Sequence, residues 1–371
     1  MMTKPLGLYV HIPFCLRKCN YCDFCSFADV DRDVRRRYID ALIREIRSYK
    51  REERLALNTV FFGGGTPSLL TPDELLEIME AVRYAFLLCD DREITVEVNP
   101  RTLTEEKLAA FVACGVNRIS IGLQTIHENE RLMLGRIHDY DDFKKSYSMV
   151  KAAGIDNISV DLMYGIPEQT HDSFKETLEA VIELKPRHIS CYGLIIEEGT
   201  PFYKNADSLS LPDEDAECDM YELAARLLAE NGYLHYEISN YARPGYESRH
   251  NLKYWRLDEY IGVGLNAHSF FEGKRYFNTD ALSDYIQDAP REYTEVDSDY
   301  MAYDHVMLGL RLRSGISLSE YKKRFGRDLY ASRRDAVDRL VRLGYMSFDG
   351  DRLALTERGF YVSNAILTEL L

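Results

Sequence analysis

The chain has 371 residues, 46% of them hydrophobic and 29% charged, with a formal net charge of −15 at neutral pH. That length supports one large domain plus a small one, and no apolar run approaches the ~18 residues of a membrane-spanning helix. The acidic balance argues against a nucleic-acid partner, because affinity there comes from Lys and Arg neutralising phosphates; a small anion in a locally basic pocket is not excluded.

The opening MMTKPLGLYV runs into a strand without a signal-peptide core, so a cytoplasmic protein is expected. Short β-branched, apolar runs predict strands over 6–13, 58–65, 93–100, 118–125, 157–165 and 188–196. Several are apolar at nearly every residue, as in strands covered on both faces. Helical patterns lie between and after them, over 34–50, 73–87, 104–113, 140–153, 171–185 and 213–231. Thr71 stands at a cap position, followed by Pro72 and the acids Asp73 and Glu74. Successive β–α units predict parallel strands with right-handed crossovers, in an open sheet or a barrel. Polar and glycine residues gather at the C-terminal strand ends, where barrels carry their chemistry. A barrel, complete or partial, is therefore expected.

The segment 235–271 is rich in aromatics and glycine and breaks the β–α rhythm. Residues 286–300 read as a polar, acidic linker, so the domains are expected at 1–285 and 301–371. In the second, helices over 301–311, 317–325 and 331–343 precede a hairpin turning at Asp349–Gly350, an order resembling a winged helix. Residues 291–371 hold 13 Lys/Arg and 13 Asp/Glu, no surplus for DNA, so this is read as a packing module. A regulator acting through that tail is the reading this balance weighs against.

Four of the eight cysteines, Cys15, Cys19, Cys22 and Cys25, fall within one short stretch after the first strand. One tight cluster in a large chain of this kind reads as metal binding rather than as a disulfide framework. A C-x3-C-x2-C loop holds three corners of a cubane [4Fe–4S] cluster and leaves one iron for an exogenous chelator. The alternative is a structural zinc site, which usually clamps two cysteine pairs far apart in sequence.

The stretch Tyr9-Val-His-Ile-Pro-Phe-Cys15, with Cys19, Tyr21 and Cys22, resembles the start of the radical S-adenosylmethionine (SAM) proteins related to oxygen-independent coproporphyrinogen III oxidase. The resemblance covers nearly the whole chain and implies an α/β fold. It would be a partial (β/α)6 barrel with a small winged-helix-like C-terminal module. It also implies that Cys15, Cys19 and Cys22 bind the cluster and that Tyr21 packs against SAM. Gly64, Gly65 and Thr66 match the glycine motif for the SAM amino group. Tyr9, Glu97, Gln124, Arg136, Asp161 and the backbone of Ile195 match its other contacts. Taken singly, each of these polar residues reads equally well as a strand-end hydrogen bond. Cys25 lies three residues after Cys22, where the oxidases place a cysteine two after, and it is left out of the ligand set.

Two functions share this core: the oxidase itself, which decarboxylates two propionates, and a related branch of heme-binding chaperones that deliver heme to acceptor proteins. The short lead before Cys15 and the departure at Cys25 favour the chaperones, as does His250-Asn251-Leu252-Lys253-Tyr254-Trp255, which matches their H-N-x-x-Y-W motif. The resemblance makes His250 a candidate heme ligand, with Tyr254 and Trp255 as aromatic surface. From the residues alone, His250 is a loop histidine and Trp255 core. Respiratory enzymes are the implied acceptors, and the reading leaves room for peripheral membrane contact and a homodimer. The electron donor, and whether SAM is cleaved, stay open.

Overall fold

The computed structural model describes residues 5–371; Met1–Lys4, part of the stretch read for a targeting signal, lie outside it. The first half repeats one unit. β1 (Leu6–Ile12), α1 (Arg32–Ser48), β2 (Ala56–Gly64), α2 (Pro72–Ala85), β3 (Leu87–Val98) and α3 (Glu105–Cys114) come first. β4 (Arg118–Gln124), α4 (Tyr140–Ala152), β5 (Asn157–Tyr164), α5 (His171–Leu184), β6 (His188–Gly193) and α6 (Glu214–Glu230) follow. The strands β1 to β6 pair in chain order, all parallel. Several helices start on the caps their sequence offers. Thr71 and Glu74 form a reciprocal capping box on α2, and Thr104 and Thr170 cap α3 and α5.

Register explains the site. Glu97 lies beside Ser120, Ser120 beside Ser159, and Asp161 beside Ser190. The alternate residues Leu8, Val10, Phe62, Val96, Ile121, Val160 and Ile189 are fully buried in the hydrophobic core that the helices cover. The six strands are thus not apolar on both faces, as their composition implied. The helix-facing side is aliphatic, while the lumen side carries Tyr9, His11, Phe61, Glu97, Arg118, Ser120 and Asp161. Period-two alternation is the rule for such a strand; here several lumen residues are aromatic or small, and the runs look continuously apolar.

Further strands extend the sheet at both edges. β7 (Leu234–Glu237) and β8 (Asn240–Ala242) join antiparallel beyond β6. After α7 (Arg249–Trp255), β9 (Tyr260–Val263) returns parallel to β1. β10 (His268–Phe271), β11 (Lys274–Phe277) and β12 (Glu292–Glu295) continue antiparallel. Among the described residues the run ends in β12 on one side and β7 on the other, which do not pair, so the barrel is open.

The stretch 286–300 is not a linker. Its residues 292–295 pair as β12 along β11, and Arg291 forms an ion pair with the buried Glu45. Its polarity reflects an exposed edge strand, which charged side chains protect from further pairing. The C-terminal module follows as α8 (Ser298–Gly309), β13 (Ile316–Ser317), α9 (Leu318–Phe325), α10 (Leu329–Arg342), β14 (Met346–Phe348) and β15 (Arg352–Leu355). β13 and β14 flank β15 antiparallel, which is the winged-helix order. At the hairpin tip, the Asp349 carboxylate accepts from the N–H groups of Asp351 and Arg352, and Gly350 takes φ +107°. Two short helices, α11 (Glu357–Tyr361) and α12 (Ser363–Leu370), complete the chain.

Candidate functional site

The cysteine loop crosses the C-terminal end of the barrel and is tied down from three sides. A short parallel pairing joins Phe14–Cys15 to Phe27–Ala28. The Asn20 N–H and side-chain amide donate to the carbonyls of Leu134 and Met133, and the Asn20 carbonyl accepts from Phe202 N–H. Cys22 N–H donates to the Cys19 carbonyl at 3.2 Å, turning the two thiols toward one mouth. Cys15, Cys19 and Cys22 all line a cavity of about 340 Å³ there. Cys25 does not line it; its thiol donates to the Asp280 carbonyl at 3.6 Å.

The same cavity is lined by Tyr21, Gly64, Gly65, Thr66, Glu97, Gln124, Arg136, Asp161 and Ile195, so nine of the ten residues matched to SAM converge on it. Tyr9 is the exception: it lies deeper in the lumen, its hydroxyl 3.0 Å from His11 Nδ1. The glycines are required by close approach. A Cβ on Gly64, which has φ +112°, would lie 2.5 Å from the His11 ring, and one on Gly65 would lie 3.0 Å from Cys15 Sγ. Thr66 Oγ1 donates toward Cys15 Sγ at 3.6 Å.

Arg136 is the hub of the opposite wall. Its Nη2 donates to Asn99 Oδ1 at 3.0 Å and to the Gly122 carbonyl at 2.8 Å. Its Nε donates to His138 Nε2 at 3.0 Å, while Nη1 faces Cys19 Sγ and the Tyr21 hydroxyl. Burial, then the Arg136 charge, lowers His138 to about 3, which keeps it a neutral acceptor. Gln124 reaches the cavity from a backbone at φ +72°, beside a register shift between β4 and β5.

The two carboxylates are part-buried in the cavity wall. Burial, then the charge of Asp161, raises Glu97 to about 8, against a hydrogen bond from Gly64 N–H at 3.2 Å. Asp161 is raised chiefly by burial, although Ser120 Oγ donates to both its oxygens at 3.0 Å. A cationic ligand group would draw both toward the ionised form. Asn99, one of the polar residues the sequence places at the strand ends, and His138 position Arg136, and neither is among the residues matched to SAM. Asn99 was detectable: it lies two residues after Glu97 at the end of β3, the spacing that puts both on one strand face.

The donor set fits a cubane cluster. Among the described residues no three such side chains converge on a point that one ion could occupy. A cubane does not require that, since each thiolate takes a different corner iron. Burial raises Cys22 to about 11, so metal binding would have to displace its proton.

His250 does not reach this mouth. It sits at the opposite end of the barrel, on α7, whose backbone N–H groups at Arg249 and His250 donate to Glu93 near the start of the lumen face of β3. Its Nδ1 is 2.8 Å from Thr59 Oγ1, its Nε2 is 2.8 Å from the Tyr254 hydroxyl, and Phe61 stacks on the ring. The side chain is 1% exposed and burial lowers its pKa to about 3. Both ring nitrogens are thus hydrogen-bonded within the barrel floor, and heme ligation by His250 would require the ring to leave one of these partners. Trp255 is half-buried under Arg311, whose guanidinium carbon lies 5.6 Å from the ring centre. Tyr254 packs edge-on to His250 and Tyr260.

An open parallel barrel with three thiols and a SAM-shaped set of polar groups at its mouth defines a radical SAM protein. The radical SAM superfamily model matches residues 9–181, and the HemN C-terminal domain model matches residues 296–362. The heme chaperone HemW of Lactococcus lactis is 35% identical, covering 100% of this chain and 98% of its own length. HemW of Escherichia coli is also 35% identical, over 98% of this chain and 97% of that protein. The chain belongs to the HemW family of radical SAM proteins. Among solved structures, coproporphyrinogen III oxidase of E. coli superposes with a TM-score of 0.85 at 24% identity, covering 99% of this chain and 90% of that one, a likeness of fold.

Proposed function

We propose that this protein is a heme chaperone that binds heme and passes it to acceptor proteins in the cytoplasm, with a [4Fe–4S] cluster and SAM at the barrel mouth. The observation that carries this reading is end-to-end similarity to HemW proteins at 35% identity. Cys15, Cys19 and Cys22 would hold the cluster, with SAM bound beside it in the same cavity. Bound together, these groups supply one-electron chemistry at the SAM sulfonium.

The chain's own residues set the terms for that ligand. Gly64 and Gly65 let the backbone come close to the amino group, and Glu97 and Asp161 accept from ammonium and hydroxyl donors. Arg136, fixed by Asn99, Gly122 and His138, turns its Nη1 toward the loop as a donor for a carboxylate. Tyr21 and Ile195 flank the mouth.

The test is anaerobic. Reconstituted protein is given heme, then an apo heme-acceptor protein; in parallel it is given coproporphyrinogen III, SAM and a reductant. Stoichiometric heme uptake, loss of heme to the acceptor and no protoporphyrinogen are expected. Turnover of coproporphyrinogen III with no retained heme would replace the chaperone with the oxidase.

A further inference from the structure

Below the SAM cavity lies a second one of about 210 Å³, sharing Gly64, Glu97, Ser120, Asp161 and Tyr192 with it. Its floor is the helix that carries the H-N-x-x-Y-W motif: His250, Asn251 and Tyr254 all face it. Arg118 enters from the wall.

Arg118 is 2% exposed, and none of its side-chain nitrogens has a hydrogen-bond or ion-pair partner among the described residues; its Nε is fully enclosed. The nearby acids are engaged elsewhere, Asp161 by Ser120 and Glu97 by the Gly64 N–H, and they sense the arginine only through space. A buried guanidinium without an acceptor carries a desolvation cost of several kcal/mol that a partner anion would offset. Asn251 adds a second donor, since it lines the cavity and its side-chain amide makes no hydrogen bond among the described residues.

We infer that this chamber is a carboxylate-binding subsite, in which the fork of Arg118 takes both oxygens of an aliphatic carboxylate and Asn251 donates to one of them. Guanidinium and carboxylate match in plane and spacing. The volume admits about seven waters' worth of ligand and lies below the range of about 300 Å³ and upward that holds drug-sized molecules. A short acid or the arm of a larger molecule fits; a macrocycle does not. The motif then has a role other than ligating iron: His250 and Tyr254 lock the floor against Thr59 and Phe61, and Asn251 faces the ligand.

The probe is propionate, with neutral propionamide as control, followed by ligand-observed NMR on the cluster-loaded full-length protein. Propionate is expected to bind and propionamide not, and Arg118→Gln should weaken propionate by at least about tenfold. Asn251→Leu, on a partly exposed residue, should weaken it by about threefold or more while leaving the fold intact. Crystals soaked in 3-bromopropionate provide a readout free of variants: the bromine should appear in the lumen beside Arg118. Propionamide binding as well as propionate, unchanged affinity in Asn251→Leu, or bromine only elsewhere would each overturn the subsite. Heme displacing propionate identifies the carboxylate as a porphyrin arm, an extension that rests on the chaperone reading. Independent binding of the two identifies a free acid, and the subsite stands either way.

Discussion

His250 shows how one residue type supports two different readings until its neighbours are known. A histidine beside two aromatics is what a heme site uses, and it is also what a packed barrel floor uses. Here the ring is hydrogen-bonded to Thr59 and Tyr254 as part of the barrel floor. This setting gives it a pH dependence. The folded pKa of about 3 lies below the unfolded value near 6.5, so the unfolded chain binds the extra proton first. The stability held by neutral His250 is therefore full above about pH 6.5 and is lost as pH falls toward 3. In urea titrations at pH 7.5 and 5.0, the unaltered protein should lose more stability on acidification than His250→Gln, which keeps the polar contacts but cannot titrate. Equal losses would show that this ring does not govern the slope.

At the scale of elements, the strand ranges were legible because β-branched residues cluster in them and turns bound them. Predicted and observed strands agree to within a few residues except at β3, which starts at Leu87 rather than 93. The glycine run ending β2 is the most constrained turn. Gly64→Ala would put a methyl into the His11 ring at a φ that side chains rarely adopt, a strain of about 1–3 kcal/mol. His11 cannot yield freely, because its Nε2 is 2.8 Å from the Cys25 carbonyl and its Nδ1 meets Tyr9. The variant should melt at a lower temperature and bind SAM more weakly, measured by calorimetry and equilibrium dialysis. A variant with unchanged melting and SAM affinity would mean that the turn relaxes without cost. What composition concealed was the two-sidedness of the strands, since Tyr9 and Phe61 are lumen residues as hydrophobic in type as the core beneath the helices.

On the whole-molecule scale, the C-terminal module is fastened to both edges of the open sheet. α8 begins three residues after edge strand β12, and at its far end the chain pairs with β7, through Ile238 N–H to the Arg311 carbonyl and Arg313 N–H to the Tyr236 carbonyl. One helix thus connects the two strands that the barrel leaves unpaired. Its anchor is the ion pair between Arg275 on β11 and Asp304, whose carboxylate is 4% exposed. Arg275→Ala would strand that carboxylate and should cost about 3 kcal/mol, read as a lower denaturant midpoint and faster proteolysis within 298–371. An unchanged midpoint would show that the module is held by its apolar core alone. The sequence by itself determined the order of β–α units, the thiol loop, the glycine turn and the polar residues at strand ends, because these depend on local spacing and side-chain chemistry. Only the tertiary structure decided that 286–300 contains the edge strand 292–295 and that His250 is sealed. It alone decided that Arg118, from the start of β4, and Asn251, from α7, share one chamber. The first depends on which strand the stretch pairs with, and the other two on contacts between residues more than a hundred positions apart, none of which a local pattern encodes.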